Sequence, residues 1–276
     1  MAENPMLAKI KQVRNAWYPW LREMPVEIKV LTGHRDYTPF IILGRSRVGS
    51  NFLRGMLNAH SQISAFGEIF RDVTDTDWDH MGYFQSPQTV AALQTHPAEF
   101  LRKKLFGRFP RYLKAVGFKI FYYHAPNSRV WEYLQTDTRI HVIHLKRRNI
   151  LKTHLSRKKA AATDRWVTTS KQHERQTTFT LDYEECLRDF VRTRRWEEEF
   201  DEFFRSHPLL EIFYEDLAAN RAAEMRRVEQ FLNVEFEAVK PTTRKQSRAG
   251  LSETIVNYDA LKAQFAGSEW ESFFED

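Results

Sequence analysis

The chain has 276 residues, a formal net charge of +6, 42% hydrophobic and 14% aromatic residues, with ten glycines and ten prolines. That supplies the core of one α/β domain with a small extension and excludes a collagen-like or low-complexity chain. The single cysteine, Cys186, excludes an intramolecular disulfide and a cysteine-built zinc site, and no apolar run reaches the roughly 20 residues that cross a bilayer. A lone thiol and an N-terminus without an apolar signal core give the expectation of a cytoplasmic protein. The basic excess attracts anions without distinguishing nucleic acid, a membrane surface and a nucleotide.

Residues 5–22 have helical periodicity, with Leu7, Ile10, Val13, Trp17 and Leu21 on one face and Lys9, Lys11 and Arg14 elsewhere. Such a helix packs on its own domain, packs on a second subunit to make a homodimer, or lies peripherally on a membrane surface. Residues 1–36 are read as a helical extension and 37–276 as a single domain. Four short apolar runs follow, at 40–43, 116–121, 141–145 and 209–213, each too short for a helix. Helical stretches alternate with them at 51–58, 97–105, 149–162, 183–205 and 221–232, and the charged 183–205 stretch reads as a solvated scaffold. Alternation of this kind predicts a parallel sheet covered on both faces, with ligands beyond the carboxyl ends of the strands.

The first strand runs into a loop bracketed by Gly44 and Gly49, and Ser50 and Asn51 open the next helix. A helix N-terminus carries unpaired N–H groups and partial positive charge, so it attracts a phosphate, and Gly49 lets the backbone come close. The loop resembles the nucleotide-cradling GxxxxGK[ST], except that Ser50 stands where the lysine reaches the β- and γ-phosphates. A chain without that lysine is a poor ATP hydrolase but can hold a nucleotide with a single 5′-phosphate. The cation has moved into the loop, at Arg47, with Arg45 a second candidate. A second strand, turn and helix spans 141–159. There Arg148 and Ser156 stand eight residues apart, just over two helical turns, and Asn149 is placed to start the helix. An arginine fork with a hydroxyl suits a terminal phosphate.

Residues 47–52, RVGSNF, resemble the 5′-phosphosulfate loop of sulfotransferases that use 3′-phosphoadenylyl sulfate (PAPS). That loop runs Lys or Arg, a small residue, Gly, two hydroxyl or amide residues, and an aromatic. The resemblance implies that Arg47 meets the bridging oxygen of the leaving group and that Gly49, Ser50 and Asn51 hold the 5′-phosphate. Phe52 would lie near the adenine, and Val48 would occupy the usual Ser or Thr position without its hydroxyl. The family's 3′-phosphate site is matched by Arg148, Asn149 and Ser156, with Ile150 in place of its proline and Lys152 in place of a frequent acidic residue. Arg147 is read as a neighbour facing solvent or a carboxylate. Residues 209–217, LLEIFYEDL, resemble the family strand that brings Tyr214 to the adenine, with Glu215 and Asp216 capping the next helix. Arg244 and Lys245 resemble the loop that closes over the 3′-phosphate.

The pattern spans roughly residues 38–270 and is most similar to bacterial carbohydrate sulfotransferases, including those acting on lipo-oligosaccharides. It implies a P-loop-nucleotide-hydrolase-like three-layer sandwich, a central parallel sheet flanked by helices. It also implies PAPS as donor, no metal, no nucleic acid partner, and a hydroxyl of a sugar or glycolipid as acceptor. Glu68, in SAFGEIF, falls where many glycan sulfotransferases carry their catalytic base. Small-molecule members place a histidine two residues after a lysine on the following strand. Here Lys119 is followed at that distance by Phe121, which leaves His124 as an alternative base. His60 is read as packing or capping. The expected chemistry is in-line displacement, with Glu68 taking the proton and Arg47 and Lys119 neutralising charge on the sulfonate. Irregular stretches at 72–88 (Trp78, His80, Tyr83) and 162–180 (Trp166) are candidate acceptor loops. Two rivals stand beside this reading: a P-loop-like kinase, with Glu215 and Asp216 as its magnesium candidates, and a polyanion-binding module, whose binding would fall steeply with salt.

Overall fold

The computed structural model describes residues 33–71, 87–126, 128–163, 178–239 and 250–275. The expected N-terminal helix, most of both candidate acceptor loops, and Arg244 and Lys245 lie outside the described residues.

Five parallel strands form one sheet in the order β2-β3-β1-β4-β5: β1 (Thr38–Gly44), β2 (Ile63–Phe66), β3 (Ala115–Phe121), β4 (His141–Lys146) and β5 (Leu209–Phe213). Residues of β1 alternate between the two faces, as strand geometry requires. Ile41 and Leu43 join a core with Phe118, Ile120, Val142 and Phe204. Phe40 and Ile42 join another with Leu53, Met56, Leu57, Ile143, Leu145 and Val228. Because both faces are buried, the central strands are apolar without interruption. The parallel sheet covered on both faces, predicted from the alternation, is observed, and with it the three-layer sandwich that the resemblance implied.

The helices are α1 (Ser50–Leu57), α2 (Pro87–Thr95), α3 (Pro97–Phe100), α4 (Arg129–Thr136), α5 (Ile150–Thr163), α6 (Tyr183–Phe203), α7 (Tyr214–Ala219), α8 (Arg221–Phe231), α9 (Leu251–Thr254) and α10 (Tyr258–Phe265). The stretch predicted as one helix over 97–105 is α3 followed by a π turn at Leu101–Leu105. Several elements were not predicted. Strand β2 is only four residues, ISAF, and includes the fully buried Ser64. Helix α4 starts at Ser128, whose hydroxyl accepts the Val130 N–H at 3.1 Å. Helix α6 also departs from the solvated scaffold expected of it. Cys186, Asp189, Phe190, Thr193 and Glu197 form a buried face, and burial pushes the Cys186 thiol up to about 12.

After β1 the chain crosses to β2 on one side, and after β3 it passes to β4 on the other, so β1 and β4 flank the point where strand order reverses. A crevice opens at the carboxyl ends of such strands. Both predicted anchors, the 44–49 loop after β1 and Arg148 after β4, lie there. At the other end His34 bridges Phe109, and its Nε2 lies 3.1 Å from the carbonyls of both Pro110 and Leu113. No helix among the described residues is long and apolar enough to cross a membrane.

Candidate active site

The loop after β1 is built by close approach. A Cβ on Gly44 would lie 2.6 Å from the Leu145 carbonyl oxygen, so only glycine lets β1 end beside β4 here. Gly49 has φ 93°, and a Cβ there would penetrate the ring of Tyr214. Tyr214 is thus laid directly on the loop. Arg47 is also left-handed, with φ 71°, at a cost of about 1–2 kcal/mol for an L-residue. Two contacts hold it there: Arg147 donates to its carbonyl at 3.1 Å, and its own Nε donates to Ser156 Oγ at 2.9 Å. Val48 is buried in the core, which explains an apolar residue where a hydroxyl was expected; its side chain has no part in a phosphate contact. Phe52 is partly buried against the same core.

Helix α1 begins at this loop with no side-chain cap and no acidic residue in its first turn. An uncapped N-terminus beside buried Ser50 and a loop arginine fits a phosphate. The residues present therefore suit the phosphate end of a nucleotide.

The second anchor is only partly drawn to the loop. Ser156 is, through Arg47. Arg148 instead forms a two-pronged pair with Asp216, both bonds 2.7 Å, lies over the Phe213 ring and is half exposed. Arg147, expected to face solvent or a carboxylate, does lie 3.7 Å from Glu215 Oε1, and it is also the arginine that touches the loop, with its guanidinium 4.7 Å from the centre of the Tyr214 ring. Burial pushes Arg147 downward, and Glu215 and Tyr214 act against that. Glu215 accepts from the backbone N–H of Arg148 (3.1 Å) and of Asn149 (3.4 Å). It therefore caps the start of α5 rather than its own helix. Asn149 starts α5 as expected, accepting the Lys152 N–H at 3.0 Å. His60 packs as expected too, with Nε2 2.8 Å from the Glu235 carbonyl.

Glu68 follows β2. Phe66 pairs with Phe118, and the Gly67 carbonyl accepts the Lys119 N–H at 3.2 Å, so register alone sets Glu68 beside Lys119. Lys119 is 1% exposed, and its ammonium bridges Glu68 Oε1 at 2.7 Å and Asn51 Oδ1 at 2.5 Å. His124 Nε2 lies 3.7 Å from Glu68 Oε2. Its Nδ1 accepts the Phe121 N–H at 3.2 Å, so the neutral ring carries its proton on Nε2, toward the glutamate. The two candidate bases are thus neighbours in one cluster, and the lone pair of His124 is already used.

A family model described as the sulfotransferase family matches residues 39–238. The chain belongs to the sulfotransferase family. Nodulation protein H of Rhizobium tropici is 26% identical over 245 residues, which cover 86% of this chain and 93% of that protein. Among solved structures, a sulfotransferase from Alicyclobacillus acidocaldarius is 16% identical, with a TM-score of 0.48 over 82% of this chain and 90% of that one. The sulfotransferase domain of the Synechococcus PCC 7002 olefin synthase gives 15% identity and a TM-score of 0.40 over 74% and 76%. Among the described residues of this sulfotransferase, no group of three or more His, Cys, Asp or Glu side chains could hold a metal ion.

Sequence reasoning missed a second cluster beside the loop. Asp189 of α6 is buried against Arg45, His154, Arg157 and Thr193. A signal was available: Cys186, Asp189, Phe190, Thr193 and Glu197 recur at helical spacing, so the acid sits on the buried stripe.

Proposed function

We propose that this sulfotransferase moves a sulfonate group from PAPS to a hydroxyl of a carbohydrate or glycolipid, with Glu68 as general base. The observation that supports this most is the double grip of Lys119. One buried ammonium holds both Asn51, in the first turn after the phosphate loop, and Glu68, so the base is kept one side chain away from the donor loop. The donor, when bound, supplies an activated sulfonate on a bisphosphate leaving group. The start of α1 and the loop would take its 5′-phosphate, Arg47 the charge that grows on the leaving oxygen, and Ser156 with Arg148 its 3′-phosphate. Arg148 would exchange Asp216 for that phosphate. Glu68 accepts the acceptor hydroxyl proton, while Lys119 holds one of its oxygens and His124 lies 3.7 Å from the other. In this reading the enzyme works in the cytoplasm, and no step calls for a metal. The sugar acceptor rests on the likeness to bacterial carbohydrate sulfotransferases, the group in which the sequence pattern fits best.

Calorimetric titration with adenosine 3′,5′-bisphosphate, 5′-AMP and ATP–magnesium tests the donor. Micromolar binding of the bisphosphate, far tighter than of AMP, is expected. Preference for ATP–magnesium would overturn the reading in favour of a kinase.

A further inference from the structure

Asp189 is 4% exposed, and four donors converge on it. Arg45 donates at 2.5 Å, His154 Nδ1 at 3.0 Å and Arg192 at 3.2 Å, and Arg157 makes a fourth, short bond. Burial by itself would raise this carboxyl, but the hydrogen bond from His154 and the charges of Arg157 and Arg45 hold it far below the usual carboxylate range. The carboxylate is therefore ionised, yet it faces three guanidiniums. Buried charges are normally matched, because an unmatched one forfeits hydration without compensation.

The shortfall is not shared equally. Arg45 has the Thr193 hydroxyl as a further acceptor and lies 5.2 Å from the Trp196 ring centre, although its Nε is buried without a partner. Arg192 lies over the same ring at 5.2 Å and reaches solvent. Arg157 has only Asp189 as a hydrogen-bond partner among the described residues, and its second terminal nitrogen is buried with none. Burial, then repulsion by Arg45, pushes Arg157 down to about 10. It remains a cation at neutral pH, with too little counter-charge among the described residues.

The cluster borders the candidate active site. Arg45 stands two residues before Arg47, and Arg157 directly follows Ser156. Between them and Glu68 stands Tyr123. Its ring meets His124 edge-on at 5.2 Å and Trp196 at 5.9 Å. Tyr123 is 42% exposed, although most large rings of this domain are buried. An exposed aromatic face beside guanidinium forks suits a sugar that carries an acid, with its C–H face on the ring and its carboxylate or ester on the fork.

We propose that Arg157, with Arg192, Tyr123 and Trp196, forms an acceptor subsite for an anionic sugar, beside the hydroxyl that Glu68 deprotonates. This rests on the sulfonate-transfer reading and adds the acceptor's charge. The test uses the full chain saturated with adenosine 3′,5′-bisphosphate and titrated with 4-nitrophenyl β-D-glucuronide and with the matching glucoside. The glucuronide is expected to bind about tenfold more tightly, the usual worth of a charged hydrogen bond. In Arg157→Gln that ratio should fall toward one, and Arg157→Lys, which keeps charge without the fork, should restore part of it. Thermal unfolding checks that each variant is folded; if Arg157→Gln is not, Arg192→Gln must lower the same ratio. No preference in the unaltered protein, a preference that survives the substitutions, or loss of bisphosphate binding in Arg157→Gln would overturn the proposal. The last outcome would assign Arg157 to the donor. Failure of the unaltered protein to bind bisphosphate would instead overturn the sulfonate-transfer reading itself.

Discussion

Two buried charge clusters flank the phosphate loop, and they are balanced differently. At the Glu68 corner one ammonium meets one carboxylate, with a histidine as neutral neighbour. At Asp189 one carboxylate meets three guanidiniums. A matched cluster is complete before any substrate arrives, so its geometry is set in advance, as a base needs. An unmatched one is completed from outside. The same residue types thus serve pre-organisation on one side of the loop and recognition on the other.

The comparison can be broken by removing each carboxylate in turn. Glu68→Gln should lower turnover by about 10²–10⁴-fold, the range of general-base catalysis, with bisphosphate binding retained. Equal turnover in an assay of sulfonate transfer from PAPS would end its assignment as base. Asp189→Asn should act on stability instead. Stripping the counter-charge from buried arginines costs about 3–5 kcal/mol, read by urea denaturation. A change as small as that of a surface substitution would mean that the cluster is not built around this acid. Gly49→Ala should cost about 1–2 kcal/mol from its left-handed backbone plus the displacement of Tyr214, and should weaken bisphosphate binding. Pairing it with Tyr214→Ala should recover part of the stability. Arg148→Ala should change stability by less than about 1 kcal/mol, because its ion pair with Asp216 is exposed, yet should weaken bisphosphate binding at least tenfold if Arg148 turns to the 3′-phosphate.

A third buried group sharpens the contrast through pH and gives the smallest effect. His144 lies between the Tyr122 hydroxyl at 2.6 Å and Asp201 at 2.7 Å, with Lys146 bonded to the same aspartate. Burial pushes His144 below its ordinary 6.5. Burial opposes, but the bonds from His144 and Lys146 prevail and lower Asp201. Both groups bind protons more readily in the unfolded chain. The His144 contribution is therefore complete above pH 6.5 and is lost as pH falls below it, and that of Asp201 is lost further down. The urea midpoint should decline from pH 8 to pH 5, and less steeply in His144→Gln.

The parts of the site that were legible in the sequence are strings of neighbours: the loop from Gly44 to Phe52, the turn into α5 with Asn149, and Glu68 after a glycine. Each is local, and the backbone carries it. What could not be read depends on which way side chains leave the strand ends. Arg147 and Arg148 are adjacent and chemically identical, and only the positions of Tyr214 and Asp216 decide which one meets the loop. The pairing of His124 with Glu68 required β2, a strand too short to register as a pattern. Asp189 was legible as a buried position but not as a hub, since its partners come from the loop after β1, from α5 and from α6 itself.

The sheet order has a consequence for how the protein breathes. The phosphate loop is anchored to β1, which has strands on both sides, whereas Glu68 hangs from four-residue β2, which among the described residues pairs only with β3. Peripheral strands unzip at lower free energy than central ones. Amide hydrogens at 64–66 should therefore exchange with solvent well before those at 40–43. In the sulfonate transfer proposed above, the acceptor side would loosen to release a sulfated product while the donor side stayed assembled for the next turnover.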